Sequence, residues 1–362
     1  MTFSVVVPVL ARTAEARADF DRALAALCRC DPPPMEVVVV DDGSPEPVRV
    51  DDAPGPPTRV LRQANAGPAS ARNAGAAVVT GDIIVFVDAD IIVPPDTFAR
   101  LAEGFRADPS AAAIWGTVTA AHPHPGVVSR YKNLTHRHFT LLQPRETRHL
   151  TTMLAAVRHD VFRSIGGFDT RLRTVSVEDV ELGRTLFERG ERVLLDRDLA
   201  AEHRHRFTFG GAIRNDFHKA RHHARTTLSR RLRGDRSVAL DGPGERRQLH
   251  YLLGVPLGVG ALVAALAGRW SISAGLTAAL VAWEADLWTY LRREQGLRFA
   301  LACVPLLVVE RVTVGAAVVA GVADVVWERP GRSYAGPHLS HVVRGGEGAD
   351  GARAAGGRAR PH

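Results

Sequence analysis

Cysteine is nearly missing from this 362-residue chain: Cys28, Cys30 and Cys303 are all it has. Three thiols at those spacings build neither a disulfide framework nor a paired C-x-x-C zinc site, and such sparse usage is expected of functional parts facing a reducing cytosol. Lysine is scarcer still. Lys132 and Lys219 are the only two among 46 basic residues, and no function is read from that bias. A signal peptide is not expected, because the first apolar run, Phe3 to Leu10, is short and no Lys or Arg precedes it. What is present is 46% hydrophobic against 23% charged residues, which excludes disorder throughout and suits about two domains by size. The net charge of +7 is local: His203 to His250 hold 12 Lys/Arg against 4 Asp/Glu, and the rest is near neutral. That segment lacks interleaved base-stacking aromatics and any recognition fold, so nucleic acid is not expected as a partner.

The first two hundred residues alternate short β-branched runs with helical patterns, as α/β domains with parallel strands do. Strands are predicted over Ser4 to Val9, Met35 to Val40, Arg59 to Arg62, Ile83 to Val87, Trp115 to Thr119, Leu150 to Arg158 and Val193 to Leu195. Helices are expected around Phe20, Leu24 and Leu27, and over Ala69 to Val79, Pro95 to Ala107 and Val177 to Arg189. After His250 the composition changes. Tyr251 to Ala267 carries no charge, Trp270 to Leu291 carries Glu284 and Asp286, and Phe299 to Trp327 carries Glu310, Arg311 and Asp324. Runs of this length can cross ~30 Å of hydrocarbon at ~1.5 Å per residue, provided that their charges find partners. Two or three membrane helices are expected over 251–327, with a soluble all-helical domain as the alternative. The Gly, Arg and Ala bias of 328–362 predicts a disordered tail.

Carboxylates cluster where two predicted strands end. Asp88-Ala89-Asp90 follows the run Ile83 to Val87, and Asp41-Asp42 follows the valines of the second strand. The carboxyl edge of an open α/β sheet is where ligands bind. Two hard oxygen donors at i and i+2 there could share Mg²⁺ or Mn²⁺, which neutralises a diphosphate. Asp42 could accept the imide N–H of a uracil or the N–H groups of a guanine. In Gly67-Pro68-Ala69-Ser70-Ala71-Arg72-Asn73-Ala74-Gly75, small residues and an Arg fall in the first turns of a helix, where free N–H groups and the helix dipole stabilise anions. Arg72 could pair with phosphate or pack near the base.

Taken in order, these motifs resemble the inverting family 2 glycosyltransferases. Val5-Val6-Val7-Pro8-Val9 looks like their opening strand, Val40-Asp41-Asp42-Gly43-Ser44 their base-binding edge, and Gly67 to Gly75 their small-residue helix. Gly81-Asp82 through Asp90 is similar to their metal-binding strand, and Gly166-Gly167-Phe168-Asp169 with Glu178-Asp179-Val180-Glu181-Leu182 resembles their acceptor-side signature. The resemblance implies a GT-A nucleotide-sugar-binding, Rossmann-like domain over 1–210. Its implied donor-binding set is Pro8, Val9, Asp42, Gly67, Arg72, Asp88 and Ala89. Mn²⁺ or Mg²⁺ would be held by Asp88, Asp90 and His203, imidazole suiting Mn²⁺ better. Asp179 would take the acceptor proton, with Glu178 orienting it or the acceptor. Leu10 and Ala11 stand where the family usually has an aromatic. Arg214 to Arg221 lacks the Q-x-x-R-W element of processive synthases, which favours transfer of a single sugar.

The expected activity is therefore metal-dependent, inverting transfer of a sugar from a nucleotide diphosphate, UDP before GDP, to a hydroxyl of a lipid-linked or cell-envelope glycan. The alternatives are a polyprenyl-phosphate sugar synthase and, in another class, a catalytically inactive membrane-anchored nucleotide-binding scaffold. In 211–250, Phe217, Ala220, Ala224 and Leu228 share one helical face among basic residues, which predicts an amphipathic interface segment on an anionic membrane. Its positive charge would keep the catalytic domain on the cytoplasmic side of the cell membrane.

Overall fold

The computed structural model describes residues 1–50, 55–171, 177–232 and 250–327. The expected tail over 328–362 and residues 233–249 of the basic segment lie outside the described residues.

The chain opens with β1 (Phe3–Val9), α1 (Ala14–Cys28) and β2 (Glu36–Asp41), followed by β3 (Thr58–Arg62), α2 (Pro68–Ala76) and β4 (Ile83–Val87). Next come β5 (Ile91–Ile92), α3 (Thr97–Ala107), β6 (Ala111–Val118), α4 (Val127–Leu141), β7 (Leu154–Arg158), α5 (His159–Ser164), α6 (Glu178–Glu188) and β8 (Arg192–His203). The strands form one sheet in the order β3-β2-β1-β4-β7-β6-β8-β5. β3, β2, β1 and β4 are parallel, whereas β7 runs antiparallel to both β4 and β6. The mixed second half departs from the all-parallel pattern suggested by the strand-helix alternation. Two stretches had no clear pattern in sequence, α4 and the far end of β8, and β8 is much longer than the three residues expected.

The valine runs are explained by burial on both faces. Val5, Val7, Val37 and Val39 pack with Phe20, Leu27 and Phe98 on one side of the sheet. Val6, Val38 and Val40 pack with Ala69, Phe86 and Phe168 on the other. α2 consists of small residues because it lies directly on the sheet: a side chain at Gly75 would run into Val6 and Val40.

The C-terminal part is helical: α7 (Phe209–Leu232), α8 (Val255–Leu266), α9 (Trp270–Trp283) and α10 (Ala285–Trp327), the last bent at Gly296 with φ +83°. Among the described residues α10 alone is long and apolar enough to cross a membrane. α8 and α9, at 12 and 14 residues, reach only about 18–21 Å, short of ~30 Å of hydrocarbon. The acids that would be costly in lipid are paired within the protein. Glu310 accepts from Tyr131 Oη at 2.7 Å and Lys132 Nζ at 2.9 Å, and Arg311 meets Glu284 at 2.7 Å and lies over the Tyr251 ring. Asp324 takes two 2.7 Å bonds from Arg221 on α7. Outward, Leu266, Trp270, Val319 and Trp327 are all at least 71% exposed, an apolar surface suited to lipid rather than water.

α7 corrects one expectation. Its apolar residues Ala220, Ala224 and Leu228 do not lie open for a membrane surface; they line a cavity against the rest of the protein. Two of its arginines are also engaged internally, Arg221 with Asp324 and Arg230 with Glu181 and Glu188 of α6. The helix thus joins the sheet domain to α10.

Candidate active site

β1, β2 and β4 all end at the same edge of the sheet, and the residues just past them build the cleft. Val9 closes β1, its carbonyl accepting from Asp42 N, while Pro8 sits in register with Val40. Asp41 is fully buried and caps the turn after β2: Oδ1 accepts from Ser44 N at 2.8 Å, and Oδ2 from Val48 N at 3.1 Å and Arg62 at 2.5 Å.

Asp42 has an equally defined task. Its Oδ1 accepts from Gln63 Nε2 at 2.7 Å and Ala66 N at 2.8 Å, and its Oδ2 from Gly67 N at 2.9 Å. The carboxylate therefore fixes the loop entering α2, and any nucleobase it met would share an oxygen already bonded. Gly67 turns that entry with φ +91°, a conformation that costs an L side chain ~1–2 kcal/mol.

Arg72, on the second turn of α2, is the hub. It is 4% exposed, and its guanidinium donates to Asp88 Oδ1 at 2.7 Å and Glu178 Oε1 at 2.8 Å. The sequence suggested a phosphate partner for Arg72; in the structure two carboxylates from β4's end and α6 already hold it. Burial opposes its charge, but Asp88 and Glu178 outweigh that and raise its pKa further. Its neighbour Asn73 clamps the glycine turn to α2, accepting from Phe168 N at 2.9 Å and donating to Phe168 O at 2.8 Å. A Cβ on Gly167 would approach Asn73 Oδ1 to 2.6 Å, at φ +74°.

Glu178 begins α6 and is locked, its second oxygen accepting from Val177 N at 3.0 Å. Asp179 stands half-buried beside it, Oδ1 accepting from Val180 N at 2.8 Å. Burial and the charge of Glu178 raise its carboxyl to about 6, with Arg72 and Lys219 pulling the other way.

Asp88 and Asp90 flank Ala89 but have different partners. Asp88 is turned to Arg72, and burial pushes its carboxyl up against that cation. Asp90 Oδ2 lies 3.4 Å from His205 Nδ1 and 3.8 Å from His203 Nε2. Burial raises Asp90 too, yet these imidazoles leave it below the ordinary carboxylate value. Burial drives His203 down to about 4, so at neutral pH it presents a neutral nitrogen. Among the described residues no three His, Cys, Asp or Glu side chains are gathered tightly enough to enclose a metal by themselves. The expected set of Asp88, Asp90 and His203 is thus divided: Asp90 and His203 are neighbours, while Asp88 belongs to Arg72. The donor chemistry still fits a divalent ion that keeps most of its shell for substrate oxygens, and the surplus of carboxylates over cations here favours one.

His205 is nearer Asp90 than His203 is. One residue escaped the sequence reading. Lys219 of α7 faces the site, its charge acting on Asp179 and on His203. Its signal was its rarity: both lysines in this arginine-rich chain are placed among carboxylates, Lys132 with Asp216 and Glu310, Lys219 near Asp179.

A mixed sheet with a carboxylate-rich cleft at the carboxyl ends of its parallel strands is the architecture of an open α/β fold with a ligand-type edge. Residues 4–166 match the family model Glycosyl transferase family 2. It is 31% identical over 181 residues to a pre-mycofactocin glycosyltransferase of Mycobacterium tuberculosis, across 48% of this chain and 38% of that protein. It is 28% identical over 191 residues to a glucosyl-dolichyl phosphate glucuronosyltransferase of Haloferax volcanii, across 47% of this chain and 59% of that one. The matched stretch thus spans well under two thirds of either relative. In fold, the chain resembles a mannosyltransferase of Pyrobaculum calidifontis solved with GDP-Man and Mn²⁺: TM-score 0.51 and 19% identity, covering 90% of this chain and 87% of that one. The sheet is of the GT-A type.

Proposed function

We propose that the protein transfers a single sugar from a nucleoside diphosphate donor to an acceptor hydroxyl, with inversion at the anomeric carbon. The observation that carries this reading is the Arg72 hub, which ties the end of β4 to the start of α6 and leaves Asp179 at the cleft with a pKa near 6. The acceptor oxygen attacks the anomeric carbon and the bond from that carbon to the β-phosphate oxygen breaks. The nucleoside diphosphate leaves with the bonding electron pair, and the acceptor proton passes to Asp179. A carboxyl near 6 is ionised at neutral pH yet basic enough to accept a proton. Glu178, held by Arg72 and the Val177 N–H, fixes the start of α6 and so positions Asp179.

Asp90 and His203, with Asp88 close by, would hold Mn²⁺ or Mg²⁺, which when bound supplies electrostatic stabilisation of the diphosphate leaving group. Pro8, Val9, Asp42, Gly67 and Ala89 form the nucleotide side of the cleft, Asp42 acting mainly through the loop it holds. A lipid-linked or envelope glycan as acceptor, and a catalytic domain on the cytoplasmic face of the membrane, are supported by the exposed apolar surface of α8 to α10.

The test is a screen of UDP- and GDP-sugars with Mn²⁺ or Mg²⁺, reading nucleotide release with membrane extract as acceptor. Extract-dependent release, abolished by chelator and by Asp90→Ala with loss of metal-dependent nucleotide binding, is expected. A chain that binds nucleotide but releases none with any donor would be a scaffold instead.

A further inference from the structure

Next to Asp179 lies a cavity of about 650 Å³ that the catalytic step leaves unused, within the ~300–1,000 Å³ range of ligand sites. The catalytic domain closes it on one side through Trp115, Leu150 and Val180, and α7 and α10 close it on the other through Ala224, Leu228 and Val318.

Two features define its occupant. The first is where it opens. Leu252 and Val322 line the cavity and are also 38% and 39% exposed, so they stand at its mouth. Val322 shares a helical stripe with Val319 and Val326, which are 71% and 70% exposed, so the mouth adjoins the apolar outer surface. The second is charge. Among the described residues lining the cavity there is no Asp or Glu, whereas Lys219, Arg231, His136, His149 and His223 are there. Lys219 has no ion-pair partner within 4 Å among the described residues and lines the cavity on the side of Asp179. Burial accordingly lowers its pKa despite the nearby Asp179. His136 Nε2, Thr151 Oγ1 and Thr227 Oγ1 are buried there without a hydrogen-bond partner among the described residues. Apolar walls, an apolar doorway and a lining whose charged side chains, Lys219 and Arg231, are all cationic suit a molecule with a hydrocarbon chain and an anionic head.

We infer that this cavity holds the anionic lipid that carries the acceptor hydroxyl, its phosphate-type head group at Lys219, from which the hydroxyl reaches Asp179, and its chain running between α7 and α10 to leave past Leu252 and Val322. The word acceptor rests on the glycosyltransferase reading; the lipid site does not.

The experiment uses the full chain in detergent and a photoreactive farnesyl phosphate, with peptide mapping of the adduct. Saturable labelling within 219–231 or 314–322 is expected, with competition from dodecyl phosphate and none from inorganic phosphate. Leu228→Trp and Val318→Trp, which fill the cavity, should each cut labelling at least tenfold while leaving nucleotide affinity unchanged; Leu228→Met should not. Should the tryptophan variants fail to fold, Lys219→Gln still discriminates, because it should weaken labelling by the phosphate probe and spare that by the matching farnesol probe. Non-saturable labelling, adducts elsewhere, equal labelling of the filled variants, or competition by inorganic phosphate alone would overturn the inference. Cavity labelling without turnover of any nucleotide sugar would keep the lipid site and remove the transferase reading. Turnover without cavity labelling would do the reverse.

Discussion

Two of the buried ionic centres among the described residues look alike and have opposite purposes. In the helical part, Lys132 and Arg311 stand against Asp216, Glu284 and Glu310. In the sheet domain, Arg72 alone bridges Asp88 and Glu178, with Asp90 and Asp179 close by and Lys219 at a longer range. The first centre is nearly balanced, and its members bond directly to one another across α4, α7 and α10. The second is short of positive charge and opens on a cleft. Near balance is what a fastening needs, because an unpaired buried charge costs several kcal/mol. A deficit facing solvent is what a site needs when its ligand brings cations or takes up protons.

Substitutions can break or sharpen that contrast. The largest effect is expected from Asp179→Asn, which should lower transfer by about 10²–10⁴-fold while leaving nucleotide affinity intact. The same variant should unfold at a higher temperature at neutral pH. Burial raises the folded-state pKa of Asp179 to about 6, so its ionised form destabilises the fold above that pH, and the amide removes the penalty. Native turnover should correspondingly fall about tenfold per unit as pH drops below about 6, as Asp179, faced by Glu178, Arg72 and Lys219, takes up its proton. A flat profile from pH 7 to 5 would mean that another group is the base.

Arg72→Met and Arg311→Met come next. Each should cost about 3–5 kcal/mol in denaturant unfolding, because each strands buried carboxylates. The contrast predicts a divergence at the site: Arg72→Met should also ruin turnover in the protein that stays folded, whereas Arg311→Met should leave nucleotide binding unchanged. Equal effects on nucleotide binding would erase the distinction between the two centres. The smallest effect is expected from Gly167→Ala, which meets Asn73 Oδ1 at φ +74° and should cost about 1–2 kcal/mol, with turnover reduced through the displaced Phe168 clamp.

The catalytic half was legible because its signals are local. Buried valine runs end in carboxylates, and Gly67 to Gly75 must be small to lie on Val6 and Val40. What stayed hidden was pairing across distance. Arg72 and Glu178 are 106 residues apart, and only the fold could show that this Arg answers to carboxylates rather than to phosphate. β7 was read as a strand, but its reversed direction is set by the strands beside it. In the helical half the charged residues were visible as a cost, while their remedy, Tyr131 and Lys132, sat in α4, a helix with no clear sequence pattern. The apolar stripe of α7 reads in sequence as a face for a membrane surface, whereas Ala220, Ala224 and Leu228 line a cavity within the protein; a stripe by itself does not say whether protein or lipid covers it.

Gly321 of α10 has one further consequence. A side chain there would collide with the carbonyl of Arg221, so the backbones of α7 and α10 touch, and three residues on Asp324 grips the same arginine. Such a joint behaves as a weld rather than a tether. If α10 crosses a bilayer, the height and tilt of the cleft above it are then fixed by the fold, and distance from that surface becomes a selector alongside chemistry.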